Sequence, residues 1–185
     1  VMKHELAHVL SASFGNALYG GSYKMGFHEG MAVAADWRGD RLTAHQWSRA
    51  MRELGLAPPL ASIIGTFGFW TSASSRSYTL CGSFVRFLID RYGVTAFKKA
   101  FPDGAVDIAY GQELPVLIRQ WETYIDSLVL SEDALRIARQ RFLQPSIFQR
   151  HCPHEVAALN DQAWQAYQSR RYPEAIRLFD QVRML

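Results

Sequence analysis

A mainly α fold is expected for this 185-residue chain, with a helical domain over 1–143 and a helical hairpin over 152–185. Three observations predict it. Apolar residues recur at helical spacing through most of the chain, Gly and Pro clusters interrupt that periodicity at short intervals, and few segments alternate as strands do. Hydrophobic residues make up 49% of the chain and charged residues 20%, values that fit a packed core and exclude a largely disordered chain.

The elements follow in order. Residues 1–14 predict a first helix whose apolar face is Val1, Leu6, Val9, Leu10 and Phe14. Gly15, Gly20, Gly21 and Gly26, with Asn16 and Ser22, make 15–26 a loop. A second helix is expected over 27–37, ended by Gly39-Asp40. Thr43 reads as the N-cap of a third helix through Leu54, with Gln46 three residues on as in a capping box. The most apolar stretch, 54–70, is broken by Pro58-Pro59, Gly55, Gly65 and Gly68, so it falls short of the ~20 uninterrupted residues of a membrane span. It is expected to form a loop with short helices along a cleft wall, within a loop-rich region reaching residue 77.

An amphipathic helix is predicted over 78–92, where Phe84, Val85, Leu88 and Ile89 share a face and Gly93 caps the end. Helices at 94–101, 114–130 and 132–142 complete the domain. Composition shifts at Gln144-Pro145 and again at His151-Cys152-Pro153, which places a boundary there. Two helices, 154–169 and 173–184, then meet at Tyr172-Pro173.

A net charge of +3 is scattered rather than gathered in a basic run, which argues against a nucleic-acid partner. Cys81 and Cys152 are too few for a disulfide framework and leave the compartment open.

The chemistry begins at His4-Glu5-Leu6-Ala7-His8, an H-E-x-x-H segment. On a helix, residues i and i+4 share a face, so both imidazoles can converge on one metal ion, while Glu5 can reach a water bound to it. A catalytic zinc site needs a third protein ligand and an open position. Glu29 is a candidate, brought back by the glycine-rich loop, and the adjacent His28 competes with it because imidazole is also a good ligand. Asp36, seven residues after Glu29, lies on the same helical face and is a candidate to accept the second N–H of a ligand histidine. His151-Cys152-Pro153-His154 offers too few ligand types, on a backbone stiffened by proline, for a second metal cluster.

H-E-L-A-H followed about twenty residues later by H-E-G-M-A resembles the gluzincin zinc metallopeptidases, and among them the bacterial peptidase MA family. The segment from Tyr78 to Gly93 and the segment around Trp121 are similar to later parts of that domain, so the resemblance covers about residues 1–128. It implies a zincin-like catalytic helical subdomain whose strand part lies upstream, in a chain that is a fragment of a longer protein. Any export signal or membrane anchor would lie upstream too, compatible with a cell-envelope location. The resemblance also implies one Zn2+ per chain held by His4, His8 and Glu29, with Glu5 as general base, and an acidic residue at the place of Asp36.

It further implies that Tyr78, at the start of its helix, stabilises the oxyanion, although the following glycine stands one residue further along than in the aminopeptidases. Tyr23 and His45 are fallback donors. The implied activity is peptide-bond hydrolysis through a zinc-bound water activated by Glu5, on a peptide or protein substrate. The segment 152–185, with Ala175 and Phe179, resembles a tetratricopeptide unit, and Trp164 and nearby aromatics are expected in its core. The competing expectation is a catalytically silent gluzincin-like scaffold that binds a protein partner through such helical repeats.

Overall fold

Helix-forming sequence is broken at short intervals by residues that cap or stop it, and the chain becomes a series of short helices. The computed structural model describes residues 2–38, 40–71, 74–143 and 153–184. Among these it has α-helices and no strand: α1 (Met2–Ser11), α2 (Met25–Ala35), α3 (Ala44–Glu53), α4 (Leu60–Ile63), α5 (Thr66–Thr71) and α6 (Ser74–Tyr92). There follow α7 (Val94–Ala100), α8 (Val106–Tyr110), α9 (Leu114–Asp126), α10 (Glu132–Phe142), α11 (Pro153–Gln168) and α12 (Tyr172–Met184). The residues divide into two compact units, Val1–Gln144 and Pro145–Leu185. No helix among the described residues is long and apolar enough to cross a membrane.

Local signals account for most boundaries. Thr43 and Gln46 form the full capping box at the start of α3. Ser131 caps α10 by accepting from the Ala134 N–H. Gly93, at φ 87, separates α6 from α7, a conformation that glycine adopts without strain. Three expectations change. The helix expected over 78–92 begins a full turn earlier, at Ser74. The helix expected to reach residue 130 ends at Asp126. α8 had no periodic signal to predict it, being a single turn closed by Gly111 at φ 65.

At the centre of the larger unit α2 crosses α6 with almost no space between backbones. A Cβ built on Gly30 of α2 would stand 2.8 Å from the Cys81 carbonyl oxygen of α6, and one on Gly82 would stand 2.2 Å from Val33 Cγ1. Both glycines are therefore sites of close approach rather than flexible points. Around the crossing the core gathers Phe27, Phe69, Phe84, Leu88, Phe97 and Trp121, all buried.

One polar group is built into this core. His45 of α3 is buried, with Nδ1 2.9 Å from Ser83 Oγ, and Ser83 Oγ also accepts the indole N–H of Trp121 at 2.9 Å. The indole can only donate, so Ser83 keeps its own proton free to donate to Nδ1 of a neutral His45. Burial lowers the His45 pKa to about 4. The unfolded chain takes up this proton near its ordinary value of 6.5, before the folded chain does. The contribution of a neutral His45 to stability is therefore full above pH 6.5 and is lost as pH falls toward 4. Urea unfolding of the metal-free protein should show wild type losing on the order of 2 kcal/mol more between pH 7 and 4.5 than His45→Gln, which has no such proton to bind. Equal losses would contradict the assignment.

Helix α1 is turned over relative to expectation. Leu6, Val9 and Leu10 are 54%, 70% and 63% exposed, while Ala7 and Ser11 are buried. The face that meets α2 is His4, Ala7, His8 and Ser11, spaced i, i+3, i+4 and i+7. Small side chains at 7 and 11 let α1 approach α2 closely enough for the histidines to face it.

In the smaller unit α11 and α12 pack through Ala163, Ala166, Ala175 and Leu178, with Phe179 partly buried against them. The turn between them is a Schellman arrangement: Arg170 N–H donates to Tyr167 O and Arg171 N–H to Ala166 O, with Arg170 at φ 62. Trp164 is not in the core; it is 50% exposed, its ring against those of Tyr167 and Phe179. Alanines at the crossing bring the helices too close to admit an indole between them. The His151-Cys152 part of the His/Cys segment and the Gln144-Pro145 shift lie outside the described residues, as do Cys152 and Gly39. Cys81 is a buried free thiol.

Candidate metal centre

The loop between α1 and α2 decides which residues meet. Asn16 organises it from a buried position: its Nδ2 donates to Gly21 O at 2.7 Å, and its Oδ1 accepts from the backbone of Leu18 and Tyr19 at 3.0 and 3.1 Å. Asn and Asp side chains often close turns in this way. At Gly20, φ is 70 and an added Cβ would meet Ala12 Cα at 2.9 Å, so the loop folds back onto the end of α1. This reversal brings the first turn and a half of α2 beside α1.

Three side chains converge there. His4 Nε2 lies 3.2 Å from Glu29 Oε2 and 3.2 Å from His8 Nε2, and His8 Nε2 lies 3.4 Å from Glu29 Oε2. All three are partly buried, and among the described residues they are the one group of His, Cys, Asp and Glu side chains gathered for a metal ion. The spacing has a chemical meaning. Zinc–nitrogen and zinc–oxygen bonds of ~2.0–2.1 Å at tetrahedral angles separate ligand atoms by about 3.3–3.4 Å. The observed triangle therefore has the dimensions of one face of a zinc tetrahedron. Three atoms able to accept protons also face one another at these distances, an arrangement that a cation relieves. Two histidines and a glutamate are the donor set of a catalytic zinc site.

The residues around the triangle sort clearly. Glu5 follows His4 directly, is exposed, and is not one of the three converging groups. Tyr78 stands one turn inside α6 rather than at its start, with its ring 6.1 Å from that of His4 and 5.0 Å from that of the buried Phe69. Its phenol pKa is raised, by burial first, then by the Glu29 carboxylate through charge and hydrogen bonding, then by Glu5. Tyr78 is thus a protonated donor at neutral pH beside the triangle.

His28 does not join the triangle. Its ring stacks on that of His8, with centroids 4.4 Å apart and planes 25° apart. Burial and the neighbouring His8 lower its pKa. Asp36 does not meet a histidine ring. α2 ends at Ala35, and Asp36 in the cap position pairs with Lys3 Nζ at 3.0 Å. Counting two full turns beyond Glu29 overshot the helix by one residue. His45 is spent in the core on Ser83 and is no candidate donor. Tyr23 is exposed, its ring 6.0 Å from that of Tyr19, and its backbone N–H donates to Pro102 O.

A cleft of about 620 Å³, bordered by Arg49, Arg52, Pro58 and Trp121, involves none of these residues. Arg52 there is held by Glu122 at 2.8 Å and Asp126 at 2.8 Å. Sequence reasoning missed the stack of His28 on His8 and the role of Gly82; the glycine inside an amphipathic helix was the available signal for the second.

The chain is thus a mainly helical protein with a two-histidine, one-glutamate cluster at a crossing of two helices. No family model, curated protein or solved structure matches it.

Proposed function

We propose that the larger unit is the zinc-binding catalytic part of a gluzincin-type metallopeptidase, and that it hydrolyses peptide bonds. The observation that carries this reading is the triangle of His4, His8 and Glu29, whose edges of 3.2, 3.2 and 3.4 Å suit a zinc ion, with Glu5 beside it. A bound zinc ion would polarise the scissile carbonyl and lower the pKa of a coordinated water to ~7. Glu5 takes the proton as water attacks and passes it to the leaving amine. Tyr78, held protonated by burial and the nearby carboxylates, donates its O–H to the oxyanion that develops.

The smaller unit is read as a tetratricopeptide-like hairpin, supported by Ala175 and Phe179 and by the alanine-lined crossing of its two helices. A single unit of this kind leaves a face for a protein partner.

The test is cleavage of fluorescence-quenched peptide pools by zinc-loaded protein, with and without chelator. Chelator-sensitive cleavage is expected, and Tyr78→Phe should lower kcat about 10²–10³-fold with zinc content unchanged. An unchanged kcat in the variant would remove Tyr78 from the mechanism. Zinc-loaded protein that cleaves no pool would leave the silent-scaffold reading in place of the peptidase.

A further inference from the structure

Histidine ligands are ordinarily oriented through their second ring nitrogen, which donates to a carboxylate, carbonyl or water. In this protein His8 turns Nε2 toward His4 and Glu29, and its Nδ1 is buried with no protein hydrogen-bond partner. No protein group therefore sets the plane of that imidazole through a hydrogen bond from Nδ1. Resting on the metal site proposed above, we infer that His28 is a positioning residue: its ring, stacked face to face on His8, fixes the plane of that ligand in place of the missing hydrogen bond.

The plate is itself firmly seated. Beside it lies the fully buried Phe101, with ring centroids 6.3 Å apart and planes 32° apart. Tyr19 meets it edge-on at 6.2 Å. The loop backbone closes against it at Gly21, where an added Cβ would fall 2.9 Å from both Cε1 and Nδ1 of His28. His28 is thus held by Tyr19, Phe101 and the backbone at Gly21 as well as by His8. Its backbone is shared with the ligand set, because the next residue of α2 is Glu29. Successive helical residues point about 100° apart, so one helix turn sends Glu29 to the metal position and His28 to the face of His8.

His28 acts through its face and not as a ligand to the same ion. An imidazole lone pair lies in the ring plane. Two stacked rings hold their lone pairs in nearly parallel planes, which do not meet at an ion ~2 Å away. Its Nδ1 is also buried without a protein partner, so hydrogen bonding by that atom is not its contribution.

Zinc affinity measured by competition with a chromophoric chelator tests this, because it needs no turnover. His28→Phe keeps the aromatic plate and loses both nitrogens. His28→Ala loses the plate, and His28→Asn loses it while keeping a polar group near the Nδ1 position. Phe is expected to bind zinc within about 3-fold of wild type, and Ala and Asn about 10-fold or more weaker, the range in which groups that orient a ligand act. Thermal unfolding with chelator present reads folding separately for each variant. Ala and Asn binding as tightly as wild type would overturn the inference. So would Phe binding as weakly as Ala, since that would make a nitrogen, and not the ring face, the working part. Wild type that takes up no zinc would overturn the metal site itself, and this is visible before any variant is compared.

Discussion

Glu5→Gln is expected to keep its zinc and to lose turnover, with kcat down about 10²–10⁴-fold. Gln matches Glu in shape but cannot accept a proton, so the change isolates the base. Glu5 is not among the three converging groups, and its side chain is exposed, so neither metal affinity nor folding depends on it. The measurement pairs kcat on a cleaved peptide with metal content of the same preparation. Activity within a few-fold of wild type, at equal zinc, would mean that another group takes the proton.

Gly30→Val should be the most destabilising single change near the site. The Cβ position on Gly30 is 2.8 Å from the Cys81 carbonyl oxygen and 3.0 Å from Val85 Cγ2. The first of these atoms is helix backbone and cannot turn aside as a side chain can, so α2 and α6 must separate. Overpacking of this kind costs about 3 kcal/mol or more, which lowers the midpoint of thermal unfolding by about 10 °C for a unit of this size. Because Glu29 is the preceding residue, the same shift moves a ligand, and zinc affinity should fall with stability. A loss under about 1 kcal/mol would show that the crossing is looser than its geometry implies.

The contrast between these two residues shows what was legible in the sequence. Helix positions were readable where the signal is local: Thr43 with Gln46, Gly93, and the 3.6-residue periodicity of α6 and α10. The convergence of His4 and His8 was readable because i, i+4 spacing on a helix leaves no choice of face. Pairing across the loop was not. Whether Glu29 or His28 faces the two histidines' Nε2 atoms depends on the angle at which α2 arrives, which the loop held by Asn16 sets.

The orientation of α1 was misread for a related reason. Apolar residues usually mark the buried face, yet here Leu6, Val9 and Leu10 are exposed and the inward face is made of His4, Ala7, His8 and Ser11. A face of histidines and small spacers carries no hydrophobic signature. Asp36 failed for the opposite reason. Its spacing from Glu29 was right for a continuous helix, but α2 stops at Ala35 and Lys3 claims the carboxylate. Neither the end of α2 nor the competition from Lys3 is written in a seven-residue interval.

Elemental mass spectrometry shows whether His4, His8 and Glu29 bind a metal ion. Wild type and Glu29→Ala would be purified without added metal and their zinc content compared. About one zinc per chain in wild type, lost in the variant, is the predicted result. No zinc in wild type after reconstitution, or equal zinc in both proteins, would contradict it.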